Sequence, residues 1–159
     1  FTIVPRRLRT SYGMDFCPAF WEWLVRKNVT GKVFSVEKVG EEIMSGEDEL
    51  AEWSSQRGEG FFLKPDAGTL IALGTVATWV NGHTSYSPAA KNTFLQIADY
   101  YLVAQALAGG HTVVTHEKPA NSVHRIKIPN VCAGVDVRCL STFEMLRHER
   151  ARFVLEGRA

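Results

Sequence analysis

An α/β fold, built on a parallel sheet with helices on both faces, is predicted by three features of this chain. First, the short β-rich runs Lys32–Val36, Thr112–Thr115 and Val135–Leu140 alternate with segments of helical apolar spacing, as in strand–helix–strand units. Second, Ile97–Ala108 is apolar on nearly all sides, which predicts a buried helix. Gly109 and Gly110 suit its C-terminal cap, and Thr112–Thr115 then fits a buried parallel strand bounded by turn chemistry. Third, 159 residues with 45% hydrophobic and 22% charged side chains are enough for one domain with a real core. Residues 1–159 are read as that single domain.

In chain order, residues 1–5 read as the tail of a strand stopped by Pro5, and Arg6–Gly13 as a loop. Pro18 suits the first position of a helix Pro18–Lys27. Its Phe20, Trp21, Trp23 and Leu24 are an aromatic load for the core. Asn28–Gly31 is a turn and Lys32–Val36 a strand. Glu37–Met44 is a helix with Val39 and Ile43 on one face, ended by Gly46. Glu47–Gln56 is an acidic helix held by Leu50 and Trp53, and Phe61–Leu63 is an apolar anchor. Gly68–Val80 is a helix with Leu70, Ile71, Leu73, Val76, Ala77 and Val80 inward. Asn81–Pro88 is a loop and Ala89–Leu95 a short helix. After the central helix and strand, Ala120–Lys127 is polar and Ile128–Cys132 starts a short helix or turn. Val135–Leu140 is the last strand. Ser141 or Thr142 caps a helix Phe143–Arg147, and the tail from Ala151 packs through Phe153, Val154 and Leu155.

The net charge of +1 does not demand a nucleic-acid partner. Basic residues nonetheless cluster at Arg6, Arg7 and Arg9, at Lys118, Arg125 and Lys127, and at Arg147, Arg150 and Arg152. Residues 41–52 are rich in Glu and Asp. Each run reads first as a solvated face. The three cysteines have no C-x-x-C spacing, which suits reduced thiols and a cytoplasmic location. No apolar run approaches the ~20 residues of a membrane span, and no signal-peptide pattern opens the chain. Walker A and G-x-G-x-x-G loops are missing, as is the elbow of a serine hydrolase. His116 beside Glu117 lacks the further His or Cys residues that zinc takes.

Three carboxylates stand out. Asp99 lies among Leu95, Ile97, Ala98 and Leu102, where an unpaired charge is costly. It is either a cap at the helix start or a ligand. Glu117 follows a strand end, the place where open α/β sheets bind ligands, and is either a plain turn residue or a ligand. Glu42 lies on the helix after the second strand, on either a solvated acidic face or a binding site. Convergence of Asp99 and Glu117 on one sheet edge would invite a hard divalent cation.

The strings Tyr12–Leu24 (YGMDFCPAFWEWL), Gly31–Val39 (GKVFSVEKV), Asp48–Trp53 (DELAEW), Val113–Pro119 (VVTHEKP), Lys127–Cys132 (KIPNVC) and Thr142–Leu146 (TFEML) span nearly the whole chain. Together they resemble PIN-like proteins of the domain-of-unknown-function 4411 group. That resemblance implies a three-layer α/β/α domain with a central parallel sheet of about four to five short strands. It also implies a Mg²⁺- or Mn²⁺-dependent ribonuclease, the toxin of a VapC-type toxin–antitoxin pair; the alternative is a degenerate, non-catalytic PIN-like module that binds RNA or a protein partner. The implied partners are RNA and a cognate antitoxin protein, and a homodimer is left open. Carried over by position, the family's second acid falls on Glu42 and its third on Asp99. The fourth region falls on Thr115 and Glu117. Glu42, Asp99 and Glu117 are thus the implied metal ligands, with Thr115 beside them. Arg125 and Lys127 are candidate phosphate contacts. The family's first acid has no counterpart in the chain and is expected just upstream of Phe1, at the end of an opening strand.

Overall fold

The computed structural model describes residues 1–155. Its strands are β1 (Thr2–Ile3), β2 (Ser35–Val36), β3 (Phe62–Leu63), β4 (Val113–Val114) and β5 (Cys139–Leu140). Its helices are α1 (Pro5–Leu8), α2 (Pro18–Val29), α3 (Glu37–Met44), α4 (Glu49–Ser55), α5 (Ala67–Gly82), α6 (Pro88–Gln96), α7 (Ala98–Gly109), α8 (Ile128–Gly134) and α9 (Thr142–His148). The fold is mixed α/β with small, wholly parallel sheets.

One sheet has the order β1-β4-β5 and the other pairs β2 with β3. Registers are Ile3 with Val114, Val114 with Leu140, and Val36 with Leu63. A parallel bridge between Thr2 and Phe34 joins the two sheets. Ile3 N–H donates to Phe34 O at 2.9 Å, and Phe34 N–H donates to Phe1 O at 2.9 Å. The hydrogen-bonded line therefore reads β3-β2-β1-β4-β5. The ladders are shorter than the β-rich runs around them, and Phe61–Leu63, expected only as an anchor, contributes a strand.

The central helix forms as the sequence predicts. Leu102, Val103, Ala104 and Ala106 are all buried. Gly110 ends the helix in the left-handed conformation, φ 65°, which a Cβ would disfavour. Helix α7 packs most extensively on α5 and also meets α3, α6, α8, β1, β2 and β4. It is the hub of the core.

Four local expectations are corrected. The expected loop after Pro5 begins with one helical turn, because proline at the first position presets φ and Leu8 is buried beneath it. Helix α4 starts later than expected, where the Asp48 carboxylate accepts from Ala51 N–H. On α5, Leu70 and Ile71 point outward, 63% and 74% exposed, and Thr69, Ala72, Val76 and Val80 face in. The cause is polar: Asp66 accepts from Thr69 N–H, and the Thr69 hydroxyl lies 3.1 Å from Gln105 Oε1 on α7. Those bonds fix the rotation of the helix. In the tail, Phe153 packs edge-on against Phe20 and Trp23, but Val154 and Leu155 are exposed. The last four tail residues lie outside the described ones. Ser141 caps α9 in a reciprocal box with Glu144, as the sequence suggests.

Candidate functional site

From β1 the chain runs outward to β2 and β3, then returns to β4 on the other side of β1. A crevice at the carboxyl ends of such a strand pair is where open α/β sheets place ligands. Strand β1 delivers Val4 and Pro5 to this edge and, one turn later on α1, Arg7. Val4 is buried and apolar, so the strand end itself brings no carboxylate. Strand β4 delivers Thr115, His116 and Glu117. The first turn of α7 delivers Asp99, and α3 delivers Glu42.

Arg7 organises the edge. Its Nη2 donates to Asp99 Oδ2 at 2.6 Å, and its Nη1 lies 3.1 Å from Glu117 Oε1. Nη1 is buried and has no well-aligned acceptor among the described residues, so its pairing with Glu117 is one of charge rather than of hydrogen-bond direction. Glu117 is engaged on both oxygens. Its Oε2 accepts from Ile128 N–H at 2.9 Å, capping α8 from outside that helix. Its Oε1 also faces Arg125 Nη2 at 3.7 Å and Lys127 Nζ at 4.0 Å. Thr115 is buried, and its hydroxyl accepts from Glu117 N–H at 3.1 Å, fixing the turn. His116 Nε2 lies 3.1 Å from the Thr142 hydroxyl.

Asp99 is 9% exposed. Burial holds its carboxyl above the ordinary range, the Arg7 guanidinium pulls against that, and the nearby charges of Glu117 and Glu42 push the same way as burial. The open choice between capping and another role at Asp99 is resolved against capping. The cap residue Ile97 has no side-chain bond, and the orphan Ala98 N–H is taken by Glu42 Oε1 at 3.2 Å. Glu42 thus reaches the edge as a cap for α7. Asp99 is an ion-pair partner near the positive end of the helix dipole.

The structure brings Asp99, Glu117 and Thr115 together, sets Glu42 at the margin, and places Arg125 and Lys127 against Glu117. Arg7 is the residue that sequence reasoning missed, having read it as one of three arginines on a solvated face. The available signal was its place, four residues past the end of an apolar strand in a chain whose Asp99 sits in an apolar helix start and needs a partner. Beside the ion pair is a cavity of about 200 Å³ lined by Arg7, Thr93, Phe94, Asp99, Glu117 and Arg125.

The all-oxygen donor chemistry of Glu42, Asp99 and Glu117 suits Mg²⁺ or Mn²⁺, but their arrangement does not. Asp99 Oδ2 and Glu117 Oε1 are both on Arg7, and the caps of α7 and α8 engage Glu42 Oε1 and Glu117 Oε2. Among the described residues no three or more His, Cys, Asp or Glu side chains are grouped to hold a metal ion.

Fold and edge together define a parallel α/β domain with a charged crevice at its switch point. A family model described as "Domain of unknown function (DUF4411)" matches residues 4–153, so the chain belongs to that family. No curated protein and no solved structure matches it. No helix among the described residues is long and apolar enough to cross a membrane.

Proposed function

We propose that this chain is a PIN-like three-layer module that binds single-stranded RNA at its carboxyl edge without cleaving it. The observation that supports this reading is the internal neutralisation of the edge. Arg7 sits on Asp99 and Glu117, so the carboxylates do not meet an incoming phosphate as bare charges. Arg125, 67% exposed, lines the same crevice, and Lys127, 22% exposed, lies beside Glu117; both are cations within reach of a phosphate backbone that enters there. The parallel strand line with its switch between β1 and β4 suits the three-layer arrangement.

The test is the affinity for a single-stranded RNA as a function of salt. Each lost phosphate contact lowers the slope of log K against log salt by about 0.7. Arg125→Ala and Lys127→Ala are each expected to weaken binding and flatten that slope. An unchanged slope in both variants sinks the assignment of this edge.

A second reading is favoured by the convergence of Glu42, Asp99 and Glu117 beside Thr115. It is a Mg²⁺- or Mn²⁺-dependent endoribonuclease, the cytoplasmic toxin of a pair with its own antitoxin protein. RNA cleavage that requires the cation and is lost in Asp99→Asn would establish it over the binding module.

A further inference from the structure

A hard cation bridging Asp99 and Glu117 must come within about 2.0–2.6 Å of an oxygen of each. The oxygens that the two residues direct at a common neighbour are Asp99 Oδ2 and Glu117 Oε1. Both are already in contact with one guanidinium, at 2.6 and 3.1 Å. A divalent ion sharing those oxygens would fall inside contact distance of the Arg7 nitrogens and set two positive centres against each other. Glu117 has no further oxygen to share with Asp99, since its Oε2 accepts from the amide of Ile128, and Glu42 Oε1 likewise serves the amide of Ala98.

Arginine suits this task in a way lysine does not. Its planar fork reaches two carboxylates at once, and it stays charged at any working pH. The backbone holds it there: Pro5 starts α1, Leu8 is buried, and Arg9 is ion-paired to Asp48, the cap residue of α4. The edge thus has its own cation, built in two residues after the proline that starts α1.

We infer that Arg7 is the resident cation of this edge, and that the guanidinium and a divalent ion are mutually exclusive occupants of the space between Asp99 and Glu117. The inference builds on the metal-free reading of the edge given above. Its test reads cation binding and not RNA, so either proposal can fail alone.

The experiment is a Mn²⁺ titration of the whole chain, followed by the electron paramagnetic resonance signal of the free ion. Wild type is compared with Arg7→Gln, Arg7→Lys and Arg7→Gln/Asp99→Asn. Removing a unit charge at contact distance is expected to tighten Mn²⁺ binding by about tenfold or more in Arg7→Gln. Arg7→Lys should gain less, and Asp99→Asn in the Gln background should abolish the gain. Wild type binding Mn²⁺ as tightly as Arg7→Gln overturns the inference, as does a gain that survives Asp99→Asn. A wild-type arm stands even where a variant does not fold. The Arg7 side-chain ¹⁵N resonance should stay in place under millimolar Mg²⁺, and saturable, Asp99-dependent divalent binding that leaves this resonance unmoved overturns the inference equally.

Discussion

Replacing Arg7 by Met keeps an unbranched stem and removes the guanidinium. The carboxylates it leaves behind are enclosed: the Asp99 and Glu117 side chains are 12% and 13% exposed, against 29% for Arg7. Removing one partner of a fully buried pair costs about 3–5 kcal/mol, and an exposed pair is worth about 0–1 kcal/mol. The partial exposure of Arg7 places the loss between those limits, at about 2–3 kcal/mol near neutral pH. For a chain of this size that lowers Tm by roughly 5–10 °C. The loss has a sign in pH. Burial already raises the Asp99 carboxyl above 3.8, and without Arg7 it rises further, so the folded variant takes up a proton that the unfolded chain releases. The penalty is therefore absent below the unfolded value and grows as pH rises through the raised folded value. Urea melts of wild type and Arg7→Met across that range should converge in acid and diverge toward neutrality. Arg7→Met/Asp99→Asn should recover most of the difference. A variant as stable as wild type at neutral pH, or a deficit that does not change with pH, would refute the reasoning.

Glu42→Ala should cost about 1 kcal/mol through loss of the Ala98 cap, whereas Glu42→Gln, which keeps an acceptor, should cost much less; equal urea midpoints for Ala and wild type would remove the cap. Glu149 is held below its ordinary 4.5 by its hydrogen bond to Lys27, at 2.5 Å, with Lys32 and His148 adding to it. Its stabilising contribution is complete above the unfolded value and is lost as pH falls through the depressed folded one. Acid melts should show that loss in wild type and not in Glu149→Gln.

The elements with strong local chemistry were legible in the sequence. Helix α3 came out residue for residue, because Val39 and Ile43 set its face and Gly46 follows its end. The α7–β4 unit was legible from its apolar run and glycine stop. The rotation of α5 was not, because Leu70 and Ile71 outweigh Thr69 in any hydrophobic count, and only the Gln105 contact across 36 residues shows which side faces in. The same holds at the edge. Asp99 was singled out as a carboxylate needing a partner, but the partner stands 92 residues away in a run of arginines that looks solvated. Residue types forecast which groups needed satisfying, and only the tertiary fold says what satisfies them.

The cap on α7 has a kinetic meaning. An isolated helix usually closes its first turn with a neighbouring side chain, so it can form early and alone. Here the Ala98 amide waits for Glu42, 56 residues earlier in the chain, whereas the Ile128 amide is served by Glu117 from only 11 residues away. A peptide spanning α7 alone should fray at its start. The first turn that carries Asp99 is then completed only when α3 docks, late among folding events that depend on long-range contacts. The charged crevice consequently belongs to the finished domain, and a nascent or partly unfolded chain exposes no assembled version of it.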